Sequence, residues 1–345
     1  GAIYTMLSQF LTLAMFLILR TQSGEMHQRG DSLDVIHTAS DYVQPMRMGG
    51  HHPYRTHTPR SHRRRHGSAH RPHRRAGDSW ESSLGHIKSH TSEEIQAAAV
   101  RNLLQRLLQD RAEEINVTVD RSLGPLGKDT FRIVSPSVAG GTSGVEVVGS
   151  SGVAAAWGLH HYLKYYCHAH ISWEADQLAL PKTWPKATIK VTSNDRFRYY
   201  QNVCTVSYSM AWWDWQRWER EIDWMALNGI NLPLAFTAQE AIWRTVYGSL
   251  GLTKEELDQH FVGPAFFAWG RMGNIRGWGG PLPESWHNKT IQLQHQILTR
   301  MRELGMTPVL PAFAGHVPKA LTRLYPNANV SQLGNWGHFH NEDYC

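Results

Sequence analysis

The sequence predicts an α/β protein with a parallel sheet built from repeated strand–helix units. Two joints carry that expectation. ALNGINLPLAF (Ala226–Phe236) and ELGMTPVLPAF (Glu303–Phe313) each end a helical pattern at a glycine, Gly229 or Gly305, and pass at once into an apolar run. A helix-stop glycine feeding a buried strand is the helix-to-strand joint of a parallel sheet. The runs then give way to FTAQE (Phe236–Glu240) and FAGHVP (Phe313–Pro318), polar and turn residues at the strand ends where such folds gather their chemistry.

Residues 1–24 read as a signal peptide. Met6 opens MLSQ, the ten-residue apolar run Phe10–Leu19 follows, and Ser23–Gly24 supply small residues after Arg20. A run of that length is too short to span a bilayer and suits a signal h-region, so no integral membrane span is expected. A signal anchor and a buried or non-native segment stand as alternatives, because the n-region lacks basic residues. Asn116, Asn288 and Asn329 each open an N-x-S/T sequon, in agreement with secretion and glycosylation. The three cysteines, Cys167, Cys204 and Cys345, have no CxxC spacing, which argues against a disulfide scaffold or a structural zinc site. Neither a metal nor a cofactor is expected.

Residues 25–85 form a His/Arg-rich segment expected to be disordered. Nine arginines, no lysine and no acid lie between Arg47 and Arg75, and they account for the formal charge of +6; the rest of the chain has a small acidic excess. The basic pI therefore belongs to one segment, and no nucleic-acid partner is expected for the folded part. The segment His51–Arg75 is low in complexity and cannot bury a core. Its readings are a solvated linker or pro-segment, polyanion binding, membrane-surface attraction, or loose metal binding through its seven histidines.

Residues 86–193 read as a compact α/β domain. Thr91 and Glu94 have capping-box spacing, and Val100, Leu103, Leu104, Leu107 and Leu108 form a helical stripe. Ile115–Asp120, Phe131–Ser135 and Val145–Gly149 read as strands, with GGTSG (Gly140–Gly144) as a loop and Ser150–Tyr166 as a serine-capped helix. The loop lacks the spacing of a phosphate cradle.

Residues 194–345 read as three strand–helix units. Arg196–Thr205 suits a first strand. Trp212–Gly229 is an amphipathic helix with Trp215, Trp218, Ile222 and Met225 inward and Arg217, Arg220, Glu221 and Asp223 mostly off that face. Strand two is Ile230–Phe236, with a helix from Gln239. A loop-rich insertion, Gly263–Trp286, precedes a helix over Lys289–Leu304, and strand three is Met306–Phe313. The pattern fits the first part of a (β/α)8 TIM barrel, truncated, since a closed barrel takes roughly 250 residues. An open doubly wound sheet is the alternative, although no GxGxxG fingerprint is present.

The strand ends and loops concentrate amide, imidazole and indole groups: Asn202 and Cys204 after strand one, Gln239 and Glu240 after strand two, His316 after strand three, and Trp269, Trp278, Trp286 and Trp336 in connections. Aromatic faces beside such hydrogen bonders match what a pyranose presents, apolar C–H faces and hydroxyls. Core packing competes with this for each tryptophan. Cys204 reads as a nucleophile or as a buried thiol, His316 as an acid/base or as a structural histidine. Glu240 is either a catalytic carboxylate or a helix-start residue, and glycoside hydrolysis needs a second carboxylate that the strand ends do not show.

At these residues a resemblance becomes specific. RYYQNVCT, WWDWQRWEREIDWMALNGINLPLAF, TAQEAIW, GPAFFAWGRMGN, GMTPVLPAFAGHVP and WGHF resemble the alpha-N-acetylglucosaminidases of glycoside hydrolase family 89, over roughly Thr91 to Cys345. The resemblance implies a small N-terminal α/β domain, a (β/α)8 barrel and a C-terminal helical domain. It implies retaining hydrolysis of terminal alpha-linked N-acetylglucosamine from heparan sulfate, in a lysosomal or secreted and homo-oligomeric enzyme. By the same resemblance Asn202, Cys204, Trp269 and Trp336 line the sugar pocket, with Asn274 and His316 at its rim. The family's two catalytic glutamates fall on barrel strands after Cys345, so no catalytic residue is assigned and the chain is expected to be inactive alone. The insert Gly49–Arg75 is not a family feature. A non-catalytic carbohydrate- or glycosaminoglycan-binding protein is the competing function.

Overall fold

A computed structural model of the chain describes residues 84–139, 142–341 and 343–345. The expected signal peptide and nearly all of the His/Arg-rich segment lie outside the described residues.

The N-terminal domain opens with helix α1 (Glu93–Leu108), capped by Ser92, whose Oγ accepts from the Ile95 amide at 3.3 Å. The cap is one residue later than the Thr91–Glu94 spacing indicates, and the Thr91 carbonyl accepts instead from Gln96 Nε2 at 2.7 Å. The stripe Val100, Leu103, Leu104 and Leu108 is buried. Strands β1 (Ile115–Val119), β2 (Thr130–Ala139) and β3 (Thr142–Gly149) follow, then helix α2 (Gly152–Tyr165) with Ser151 as its cap. A short antiparallel pair, β4 (His170–Ile171) and β5 (Asp176–Gln177), leads to β6 (Ala187–Thr192). The sheet has the order β1-β3-β2-β6, with β1 parallel to β3 and the other pairs antiparallel. The expected GGTSG loop is shorter than its residues suggest: Thr142–Gly144 pair with Ser137–Ala139 as part of β3. Gly144 belongs there because any Cβ would lie 2.4 Å from the Glu114 carbonyl oxygen.

The second unit is a run of three parallel strands joined by helices. Strand β7 (Tyr199–Tyr200) pairs with β8 (Leu232–Pro233), and Leu234 bridges in parallel to Val309 on the third segment. Leu234 donates to the Tyr200 carbonyl at 3.1 Å and Ala235 to the Val309 carbonyl at 2.8 Å, so the three carboxyl ends point the same way. Between them lie α3 (Trp215–Leu227), α4 (Gln239–Ser249), α5 (Lys254–His260), the short α6 (Phe267–Arg271) and α7 (Glu284–Glu303), with α8 (Leu321–Leu324) after the third strand.

Both helix-to-strand joints close in one way. Gly229 and Gly305 have φ of +74° and +84°. Gly229 N–H reaches the Ala226 carbonyl and Ile230 N–H the Met225 carbonyl, while Gly305 reaches Arg302 and Met306 reaches Met301, each at 2.9 Å. That is the paired bond pattern of a Schellman stop, which requires the left-handed conformation glycine adopts without strain.

Two sequence expectations need correction. Glu221 and Asp223 are buried rather than solvated: Tyr200 Oη donates to Glu221 at 3.1 Å, and Asp223 accepts from Arg106 (2.8 Å) and Arg300 (2.9 Å). A helical wheel places charges outward, but here α1 and α7 close over that side of α3. Helix α7 begins at Glu284, five residues ahead of Lys289, because Pro283 (φ −70°) presets the entry. Trp286 and Asn288 are therefore helical, not loop residues.

The two units share one core. Leu103, Leu104, Leu159 and Leu163 of the N-terminal helices pack in the same cluster as Ile222, Met225, Ile297 and Met301 of α3 and α7. Helices α1 and α2 are thus layered between their own sheet and the helices of the second unit. At the seam, Gln96 Oε1 accepts from Gly152 N–H at 2.8 Å, and a Cβ on Gly152 would lie 2.6 Å from the Leu304 carbonyl oxygen.

Candidate functional site

The carboxyl ends of the parallel strands carry a wall of aromatic side chains. Directly after strand β7 comes Gln201, which has φ +95°, is buried, donates to Met210 Sδ at 3.3 Å and leaves its Oε1 without a partner. Strain in a non-glycine residue at a strand end is a mark of a functional turn. The turn delivers Asn202, exposed, whose Oδ1 accepts from the Cys204 amide at 2.8 Å. Cys204 is half-buried and unbonded to another cysteine. The expected strand Arg196–Thr205 thus pairs only at Tyr199–Tyr200 and spends its remainder on this turn.

A helical turn, Val206–Met210, comes next. Ser207 Oγ accepts from Ala268 N–H at 2.5 Å and fastens this turn to α6, the helix that bears Trp269. Trp269 stands edge-on to Tyr208, with ring centroids 5.7 Å apart, and 6.4 Å from Trp336. Trp336 stacks on Phe339 at 5.7 Å, Phe339 meets Trp278 at 4.9 Å, Trp278 meets Phe266 at 5.9 Å, and Phe266 returns to Trp269 at 6.5 Å. These rings form a closed circuit. Tyr208, Trp278 and Trp336 remain 63%, 49% and 44% exposed. Exposed aromatic area of this kind marks a binding surface.

A buried polar cluster supports the wall. Asp343 accepts from Arg276 Nε at 2.7 Å and lies 3.2 Å from His316 Nδ1 and 3.5 Å from His260 Nδ1. Burial raises the Asp343 carboxyl, but hydrogen bonds from His260, His316 and Arg276 outweigh it and hold the group well below the usual carboxylate range. His260 is pushed down to about 4 by burial and by the nearby Arg276 charge. His316 Nε2 donates to the Arg271 carbonyl at 3.0 Å, and its Nδ1 lies 3.0 Å from Arg276 Nη2 and 3.2 Å from Asp343.

His316 is therefore beneath the rim and not on it, held in a hydrogen-bond network that leaves no ring nitrogen for a ligand. It packs against Gly273, where a Cβ would lie 2.7 Å from its ring, and Gly273 (φ +75°) precedes Asn274. Asn274 is half-buried, its amide donating to the Trp269 carbonyl at 2.9 Å, which places it beside the wall. Glu240 is no catalytic acid in waiting. It opens α4 and is held by both nitrogens of a fork from Arg271, at 2.7 Å each, with both side chains buried.

Contacts join Trp269, Asn274 and Trp336 around the ring circuit, to which the fold adds Tyr208, Phe266 and Phe339, while Asn202 and Cys204 lie on the turn that leads to Tyr208. Gln201 and Phe339 fall inside the RYYQNVCT and WGHF motifs, but nothing in their residue types singles them out. Tyr208 could have been found as an aromatic immediately after the NVCT turn.

Two family models match the chain: "Alpha-N-acetylglucosaminidase (NAGLU) N-terminal domain" over residues 98–186 and the corresponding "tim-barrel domain" over residues 198–345. Together they span well over half of it. The chain belongs to the alpha-N-acetylglucosaminidase family. The human alpha-N-acetylglucosaminidase is 56% identical over 254 residues, covering 72% of this chain and 34% of the human protein. The chain thus spans about a third of that relative's length. A family 89 glycoside hydrolase from Clostridium perfringens, solved with 2-acetamido-1,2-dideoxynojirmycin, matches with a TM-score of 0.68 and 31% identity over 73% of this chain and 28% of that one. A variant of the enzyme from the same organism, solved with its substrate GlcNAc-alpha-1,4-galactose, matches at 0.67, also with 31% identity, over 72% and 28%. The fold is accordingly an alpha-N-acetylglucosaminidase N-terminal domain joined to part of a TIM barrel. No helix among the described residues is long and apolar enough to cross a membrane.

Proposed function

We propose that this chain forms the sugar-gripping part of a glycosidase that removes terminal alpha-linked N-acetylglucosamine, with heparan sulfate as the physiological glycan and retention of configuration. The aromatic wall at the strand ends carries the reading. A pyranose stacks its C–H face on Trp269 and Trp336, while the amides of Asn202 and Asn274 and the Cys204 thiol reach its hydroxyl and acetamido groups. The exposed sequon residues Asn116, Asn288 and Asn329 support passage through the secretory pathway to the lysosome or the cell exterior.

Retaining hydrolysis needs two carboxyl groups about 5 Å apart, one as nucleophile and one as acid/base. Among the described strand-end residues Glu240 is neutralised by Arg271, and no second carboxylate faces the wall. In this reading the described strand ends bind the sugar, and the two glutamates belong to later strands of the family barrel. Two measurements on the chain test this. Calorimetry should detect binding of an N-acetylglucosamine-configured iminosugar, and an aryl alpha-N-acetylglucosaminide should show no turnover. Turnover by these residues alone would refute the division of labour, and failure to bind the iminosugar would refute the sugar-gripping role.

A further inference from the structure

A second tryptophan-lined cavity lies outside the aromatic wall. It occupies about 330 Å³ between the chain entering α3 and the first turns of α7, and it is lined by Trp212, Trp215, Trp286, Lys289, Gln292 and Gln296 among others. Trp212 is 70% exposed and meets Trp286 edge-on at 5.3 Å. The volume falls in the range of small-ligand sites, ~300–1,000 Å³. Its composition, apolar ring faces rimmed by amides and an ammonium, suits a sugar and not a purely apolar ligand.

What fills it is written beside it. Asn288, Lys289 and Thr290 form a sequon on the first turns of α7, and both Lys289 and Thr290 line the cavity. Asn288 itself is exposed, and Gln292, one helical turn further on, is also a lining residue. A glycan attached at Asn288 Nδ2 starts at the lip of the cavity, so its inner N-acetylglucosamine units meet the indole faces at high effective concentration.

We propose that the cavity is a carbohydrate-binding groove whose occupant is the protein's own N-glycan on Asn288. The proposal rests on the secretory reading above. The glycan covers Trp212 and Trp286, and Lys289, Gln292 and Gln296 hydrogen-bond its hydroxyl and acetamido groups.

The test uses the native chain produced in a glycosylating animal-cell host. Glycopeptide mass spectrometry reads occupancy at Asn288, and a time course with peptide N-glycanase under native conditions reads accessibility. The glycan on Asn288 should be released roughly tenfold more slowly than one on Asn116, which is exposed on edge strand β1; tenfold corresponds to about 1.4 kcal/mol of protection. Trp212→Ala should abolish the difference, and Trp212→Tyr should keep it. Removing the glycan by Asn288→Gln should increase quenching of tryptophan fluorescence by acrylamide. Asn116, Asn288 and Asn329 all unmodified would remove the secretory premise, whereas Asn288 unmodified beside an occupied Asn116 would overturn the proposal itself. A glycan present at Asn288 but released equally fast from the parent and Trp212→Ala, with quenching unchanged by Asn288→Gln, overturns the groove itself.

Discussion

Trp336 is 44% exposed and stacks on Phe339, while Trp269 stands edge-on to Tyr208. Truncating either to alanine should weaken iminosugar binding by about 0.5–1.5 kcal/mol, since a stacked ring contributes about that much beyond its area. Titration calorimetry of Trp336→Ala and Trp269→Ala measures it, with circular dichroism to verify folding. His260 makes a different prediction. Its folded pKa of about 4 lies below the ordinary 6.5, so between those values the unfolded chain binds the extra proton. Stability is fully present above about 6.5 and falls as pH drops toward 4, by at most about 3 kcal/mol. Asp343, depressed in the fold, adds loss in the same direction at lower pH. Urea midpoints for the parent and His260→Gln across this range should show a shallower slope for the variant.

These residues also show how far the sequence could be read. The position of Asn202 is legible because polar groups directly after an apolar run fall at a strand end, and Asn202 lies on the turn after β7. The burial of His316 is not legible, because a histidine in a glycine-bearing loop gives no sign that Arg276 and Asp343, distant in sequence, close on it. Gln201 was invisible, since a positive φ at a glutamine follows from the turn and not from its type.

At the scale of elements, the helix stops were the most legible feature, because a left-handed stop has a local chemical cause. Their cost of substitution follows from the same cause. Gly305→Ala places a Cβ at φ +84° and 2.2 Å from Gln96 Oε1, so it should destabilise by at least about 1–2 kcal/mol. Gly334→Ala, where no atom lies within 4 Å of the added carbon, should be close to neutral. Chemical denaturation of the two variants provides the comparison. Helix α3 was legible in its apolar stripe but not in its charges. Asp223 reads as a solvated acid until Arg106 from α1 and Arg300 from α7 converge on it, and pairing over such sequence distances leaves no periodic trace. The early start of α7 is hidden for a simpler reason: Pro283 suits a loop as well as the helix entrance where it stands.

For the whole molecule, the α/β class and the order of its two parts were visible in the sequence, whereas their common core was not. Asp223→Ala tests that core. It leaves the Arg300 guanidinium, 6% exposed, without its carboxylate, and breaking a buried pair in this way costs ~3–5 kcal/mol. Because the residue joins helices of both parts, thermal unfolding followed by near-UV dichroism and by proteolysis of the N-terminal sheet should move together to lower temperature. Two separate transitions would show that the parts melt independently.

The contact of Gly152 with the Leu304 carbonyl, and the leucines of α1 and α2 set against Ile222 and Met301, bear on how the family can be recombined. A boundary drawn between the N-terminal and barrel segments runs through tightly packed interior. A chimera that exchanges residues 98–186 alone between relatives would set one protein's leucines against another's α3 and α7. Grafts should carry α1, α2, α3 and α7 as a single block, with the crossover placed in the exposed loops at the strand ends.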